Sequence, residues 1–188
     1  IVDLQQVADR LDDPGHAARA FFLSVFSNRF YFGNLLAHSI PLMLTGLAAS
    51  VAFTASCFNL GMEGQVYLGA LAGTSVGILI SDLVPGAIGI AFMFTVSFFF
   101  GASVASISAI LKIRTGVSEL ISSLLLSNGI VLVVDYFVEG PLNDRASGLA
   151  ASISLPAKFR FNGLMLPSGL HTGIFFSLCA AFLLWFFL

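Results

Sequence analysis

Ala87 to Leu111 reads Ala-Ile-Gly-Ile-Ala-Phe-Met-Phe-Thr-Val-Ser-Phe-Phe-Phe-Gly-Ala-Ser-Val-Ala-Ser-Ile-Ser-Ala-Ile-Leu, without one charged side chain. A helix rises about 1.5 Å per residue, so about 20 apolar residues cross about 30 Å of hydrocarbon. This run is long enough, and its surroundings repeat the pattern. From Phe30 to Leu111 the only charged side chains are Glu63 and Asp82. Charges and unpaired backbone groups are costly in hydrocarbon, so this distribution is what lipid demands.

The composition agrees. Of the 188 residues, 57% are hydrophobic and 10% charged, with 20 Phe, and mean hydropathy is +0.97. Soluble domains carry about 25% charged residues. An ordinary soluble enzyme and a disordered tail are therefore excluded. A net charge of −2 without a basic patch speaks against nucleic-acid binding. Cys57 and Cys179 both lie in apolar runs and read as small buried apolar residues, not as a disulfide or zinc pair.

Working outward, the expected architecture is an all-α, polytopic transmembrane helix bundle. The first span is expected at Asn34–Cys57, with Pro41 near its start, where a missing N–H is tolerated. Spans follow at Val66–Ser81, Ala87–Leu111 and Val117–Val138, and part of a fifth begins near His171. The connections are Phe58–Gln65, the turn Asp82-Leu83-Val84-Pro85-Gly86, the basic Lys112-Ile113-Arg114-Thr115-Gly116, and a Gly-, Pro-, Asn- and Ser-rich loop from Glu139 to Leu170. The chain opens with Ile1 and stops at Leu188 inside an apolar run, so a piece of a longer protein is expected, with four full spans and part of a fifth.

Residues 1–33 form an expected extracytoplasmic surface segment ahead of a partial transmembrane domain at 34–188. Asp3, Asp9, Asp12 and Asp13 leave it net acidic despite Arg10, Arg19 and Arg29. Phe21, Phe22, Leu23 and Phe26 give it an apolar face, and Phe30-Tyr31-Phe32 fits an aromatic belt. No apolar core precedes a cleavage site, so it is no signal peptide. Lys and Arg gather in short cytoplasmic loops. Placing Lys112 and Arg114 inside puts 139–170 and the N-terminal segment outside.

Few side chains are candidates for function. Asn59 and Glu63 are four apart in the polar break, Gln65 follows, and Gly61 and Gly64 allow unwinding or close approach. A broken hydrophobic segment marks a transporter's binding region. Glu119, Ser123 and Ser127 form an i, i+4, i+8 stripe on the fourth span, with Ser118, Ser122 and Asn128 beside it. Asn59, Glu63, Gln65, Glu119, Ser123, Ser127 and Asn128 either line a translocation path or bond helices to one another, and the sequence leaves both open. Gly69, Gly73 and Gly77 share one helix face and are read as packing residues, as are Gly101, Ala105 and Ala109. His38 reads as a helix–helix hydrogen-bonding residue and Asp135 as solvated. No phosphate-binding G-x-x-x-x-G-K-[ST] loop, no metal-ligand cluster and no nucleophile–base pair occurs. The chain is therefore expected to need no cofactor or metal and not to be an enzyme, any ATP hydrolysis lying on another subunit.

Pro41-Leu42-Met43-Leu44-Thr45-Gly46-Leu47 followed by Phe58-Asn59-Leu60-Gly61-Met62-Glu63-Gly64-Gln65 resembles the permease subunits of bacterial ABC importers for nucleosides and simple sugars. That family reads P-L-x-L-T-G-L, then F-N-[IL]-G-x-E-G-Q. Arg114-Thr115-Gly116-Val117-Ser118-Glu119-Leu120-Ile121-Ser122 looks like its R-x-G-V-N-E-V-I-S, with Ser118 in place of Asn, and Gly140-Pro141-Leu142 resembles the start of its external loop. The resemblance implies a multi-pass protein of the bacterial cytoplasmic (inner) membrane with further spans at both ends. It implies a second permease subunit, identical or different, as well as ATP-binding ABC subunits and an extracellular or periplasmic solute-binding protein. The Phe58–Gln65 motif is more similar to the nucleoside branch, and riboflavin and simple sugars are the related cargoes. A non-transporting membrane scaffold is the rival from another class.

Overall fold

The computed structural model describes residues 14–187. The first thirteen residues of the expected surface segment, with Asp3, Asp9, Arg10, Asp12 and Asp13, lie outside the described residues. The elements are α1 (Pro14–Ser27), α2 (Arg29–Thr54), α3 (Met62–Leu79), α4 (Gly86–Thr115), α5 (Glu119–Glu139), a 3-10 turn (Ala157–Phe159) and α6 (Gly173–Phe187). Among the described residues there is no strand, only the isolated bridges Asn143–Ser152 and Gly163–His171. The all-helical reading therefore holds.

Among the described residues three helices are long and apolar enough to cross a membrane: α2, α4 and α5. The second expected span, α3, has 18 residues. Glu63 and Gln65 in its opening turns, together with Gly64, Gly69, Gly73 and Gly77, dilute its hydropathy. The last, α6, is a shorter apolar helix of 15 residues.

Several boundaries differ from expectation for identifiable reasons. Asn28 Oδ1 accepts the Phe30 N–H at 2.9 Å and so caps α2. The helix thus begins at Arg29 and absorbs the aromatic cluster, which leaves Pro41 in its interior rather than near its start. Thr45 Oγ1 donates to the Pro41 carbonyl at 2.9 Å. At the other end α2 stops at Thr54, where Ser56 takes a left-handed φ of 56° and the Cys57 N–H turns back to Ala52 O at 2.8 Å. The α3 helix starts at Met62, so only residues 55–61 are non-helical. The expected basic connection is largely the last turn of α4, which ends where Gly116 adopts φ 72° and donates its N–H to Lys112 O. That conformation suits a residue without a side chain.

The chain divides into two compact units, one running to Leu47 and resuming at Phe161, the other Ala48–Arg160. In the first, Gly33 lies against Ser168, and Asn34 Oδ1 accepts the Gly169 N–H at 2.8 Å. The Phe161 ring stacks on His171 at 5.6 Å, and His171 Nδ1 accepts the Gly173 N–H at the start of α6. His38, on α2, is exposed.

In the second unit α3 packs against both α4 and α5. Its interior is small and hydroxylic: Val104, Ser108, Ser122, Ser123, Ser127 and Val134 are buried, while Phe98, Phe99, Leu125 and Leu132 are exposed. This inversion is the membrane pattern, in which small residues let helices approach and large apolar ones face outward. Gly69 meets Ser97, Gly73 meets Ser97 and Met93, and Gly101 meets the Gln65 backbone. Each step of four along α3 is thus a step of four backwards along α4, an antiparallel register. Gly77 faces Met93 and Leu155, and Gly89 faces the buried ring of Phe159.

Candidate functional site

Residues 55–61 break the helical ladder: the N–H groups of Ala55, Ser56 and Cys57 still turn back to carbonyls of α2, but those of Phe58, Leu60, Gly61 and Gly64 have no intrahelical acceptor. The polar stripe of α5 meets several of them. Glu119 Oε1 accepts the Phe58 N–H at 2.7 Å. Ser123 Oγ accepts the Leu60 N–H at 3.1 Å and itself donates to Leu120 O at 3.2 Å. Ser127 Oγ accepts the Gly64 N–H at 2.8 Å. Within the break, Asn59 Oδ1 accepts the Gly61 N–H at 2.8 Å. From Leu60–Ser123 to Gly64–Ser127 both partners advance by four, so α3 runs parallel to α5 and antiparallel to α4.

Two glycines make this seam possible. A Cβ at Gly61 would stand 2.8 Å from Ser123 O, and one at Gly64 would stand 2.7 Å from Ser127 Cα. Both obstacles are backbone atoms that no rotamer change removes.

At the α4–α5 turn, Lys112 Nζ pairs with Glu119 Oε2 at 2.8 Å. Lys112 lies in the last turn of α4 and Glu119 in the first turn of α5. Each charge is favoured by the dipole of its own helix end. The Glu119 side chain is 14% exposed and that of Lys112 48%.

Beside this junction lies a cavity of about 340 Å³. Ala52 contributes from α2, Cys57, Phe58 and Asn59 from the break, Ala105, Ser106, Ser108 and Ala109 from α4, and Glu119 and Ser123 from α5. Its walls combine a carboxylate, an amide, hydroxyls and an aromatic ring with small apolar groups, a mixture suited to orienting a small polar molecule. Among the described residues the buried Ser108 hydroxyl has no hydrogen-bond partner, nor has the buried Gln65 Nε2. A second cavity of about 300 Å³, between α3, α4 and α5, is lined almost wholly by apolar groups, including Leu68, Leu71, Val96 and Phe137.

The structure thus brings Asn59, Glu119 and Ser123 to one cavity and sets Ser127 one turn further along the same seam. Gln65 is half-buried on α3. Glu63 and Asn128 are exposed and do not join them, and Asp135 is exposed too. Two residues emerge that carried no functional reading in the sequence. Ser108 is not singled out there, and Lys112 reads only as a marker of orientation. Cys57 is a correction: it and Cys179 are exposed, not buried. An apolar neighbourhood signals burial in a water-soluble fold, whereas here the apolar surface is the outside. Among the described residues no group of His, Cys, Asp and Glu could hold a metal ion.

Comparison with known proteins gives a consistent set. The model of a family described as the permease component of branched-chain amino acid transport systems matches residues 31–188. A glucose ABC transporter permease protein of Haloferax volcanii is 36% identical over 130 residues, covering 69% of this chain and 34% of that protein. A guanosine ABC transporter permease protein of Bacillus subtilis is 29% identical over 170 residues, covering 89% of this chain and 48% of that protein. A probable riboflavin import permease protein of Treponema pallidum is 31% identical over 152 residues, covering 79% of this chain and 39% of that protein. The chain therefore spans between about a third and a half of the length of these relatives. No solved structure matches.

Proposed function

The chain belongs to the family of branched-chain amino acid transport permease components, and from that premise we propose that it is a membrane-spanning subunit of an ABC importer that moves nucleosides or a related nutrient into the cell by alternating access. The observation that carries this reading is the cavity walled by Asn59, Glu119 and Ser123 inside a bundle whose outer surface is apolar. Polar and ionisable groups are expensive at membrane depth and mark solute pathways. Broken helices supply such groups without charging the lipid face.

In this reading α3 crosses the membrane too, since it runs parallel to α5 and antiparallel to α4, both long enough to cross. The α6 helix begins a fifth crossing. Lys112 and Arg114 lie on the cytoplasmic side, so the cavity beside Glu119 is the inner mouth of the path. The segment at 1–33 and the loop at 139–170 face outward. Ser127 and Gln65 extend the polar route along the seam, Glu63 and Asn128 extend it on the exposed faces of α3 and α5, Gly69, Gly73 and Gly77 hold α3 against α4, and the bilayer is the cytoplasmic membrane. ATP hydrolysis falls to separate ATP-binding subunits, with a second permease subunit and an external solute-binding protein completing the complex.

Guanosine, glucose and riboflavin, the cargoes named for the relatives, all present hydroxyls on a ring or chain, which the cavity's amide, hydroxyl and carboxylate groups suit. The nucleoside reading is favoured by the Phe58-Asn59-Leu60-Gly61-Met62-Glu63-Gly64-Gln65 motif. A second reading, a non-transporting scaffold, is favoured by the fact that Glu119, Ser123 and Ser127 are all occupied by backbone donors. Reconstitution with the ATP-binding subunits and the solute-binding protein separates the two. ATP-dependent uptake of labelled guanosine, riboflavin or glucose supports the importer, and assembly without uptake of any solute supports the scaffold.

A further inference from the structure

We propose that Glu119 is a positioning residue for transport: its carboxylate brackets the broken segment 55–61 to the ends of α4 and α5 at once, and so holds one wall of the cavity in place. This rests on the importer reading. The two oxygens serve different parts of the chain, Oε1 taking the Phe58 N–H at 2.7 Å and Oε2 taking Lys112 Nζ at 2.8 Å.

The other ties between the break and α5 are weaker in kind. Ser123 and Ser127 offer neutral hydroxyls to Leu60 and Gly64. Hydrogen bonds to an ionised acceptor are about twice as strong as neutral ones. Of the three stripe residues, Glu119 alone is tied to α4 as well. Phe58 and Glu119 both line the cavity, so what frees Phe58 from the carboxylate also frees that wall. The carboxylate acts through the backbone it holds.

Chemistry allows the N–H contact to be separated from the ion pair. An ammonium has donors but no acceptor, whereas an amide keeps a carbonyl acceptor. The charge-swapped double variant Lys112→Glu/Glu119→Lys restores an ion pair but presents nothing to the Phe58 N–H. Glu119→Gln loses the ion pair but keeps an acceptor. Lys112→Met leaves the carboxylate on Phe58.

The test is amide hydrogen exchange of the peptide containing Phe58, in the full protein in lipid nanodiscs, alongside uptake by the reconstituted complex. In Glu119→Ala and in the swap, exchange there rises about tenfold or more. The maximal uptake rate falls by a similar factor, while half-saturation changes less. Glu119→Gln and Lys112→Met each keep an acceptor on the Phe58 N–H but lose the tie to α4, so their exchange lies between that of the wild type and that of Glu119→Ala. A swap that restores both readouts makes the ion pair sufficient and overturns the proposal. So does unchanged exchange in Glu119→Ala, or exchange in Lys112→Met as fast as in Glu119→Ala. A wild-type complex that carries no solute overturns the importer reading and the role in transport with it. Exchange at Phe58 in that case still decides whether the carboxylate brackets the break.

Discussion

Ser127 meets Gly64 twice: its Oγ accepts the Gly64 N–H at 2.8 Å, and its Cα stands 2.7 Å from where a Cβ on Gly64 would lie. The hydrogen bond requires the close approach, and the close approach requires glycine. Gly64→Ala is therefore expected to part α3 from α5 at this point. Ser127→Ala leaves a buried N–H without its acceptor, at a cost of about 1–3 kcal/mol. Gly129→Ala on the same helix is the control, since nothing lies within 4 Å of its Cβ position. It should gain roughly 0.5–1 kcal/mol of helix propensity. Unfolding of the purified protein in mild detergent ranks the three, and a Gly64→Ala variant as stable as Gly129→Ala would show that the seam is not closed.

The glycine row on α3 predicts a graded response. At Gly69 an added Cβ meets the Ser97 carbonyl at 3.0 Å, a backbone atom, whereas at Gly73 it runs into Ser97 Oγ, which can rotate or be removed. Overpacking costs about 1–3 kcal/mol. Ser97→Ala should therefore relieve Gly73→Ala and leave Gly69→Ala unrelieved. Equal rescue of both in a double-variant unfolding series would refute the register of α3 on α4.

Cys57 offers a native reporter, because it is exposed and lines the cavity. In a Cys179→Ser background, a small charged thiol reagent is expected to label Cys57 and block uptake. Saturating solute should slow the labelling. Full labelling with undiminished uptake would remove this cavity from the solute's route.

Glu63 and Asn59 should behave differently from each other. Glu63 is exposed, so Glu63→Ala should leave stability within about 0.5 kcal/mol. A fall in uptake there reads out its role in the path rather than in the fold, and uptake at the wild-type rate removes it from the mechanism. Asn59→Ala takes away the acceptor for the Gly61 N–H and should cost about 1 kcal/mol as well as uptake.

Much of this arrangement is legible in the sequence, and the rest is hidden for physical reasons. The run from Ala87 to Leu111 places α4, and the spacing of Glu119, Ser123 and Ser127 puts them on one face. What that face binds is not legible. The donors at Leu60 and Gly64 lie 63 residues earlier in the chain, and their pairing depends on the register of two packed helices. Pro41 illustrates a different failure. Proline favours the first turn of a helix, and here the Asn28 cap and the aromatic cluster extend α2 upstream past that preference. Lys112 was readable as a charge near a membrane face. Its ion pair with Glu119 became visible only once Gly116 had turned the chain back on itself.

The opposed stepping of α3 and α4 makes the pair a ruler. Deleting a single residue between Gly69 and Gly77, or between Met93 and Gly101, would rotate everything beyond it by about 100° and turn bulky side chains into slots sized for hydrogen. In the turn at 80–85 the contact is instead a flexible side chain, Lys158 Nζ donating to Val84 O at 3.3 Å. A change of length is therefore expected to cost less at that hairpin than in the two helices it joins.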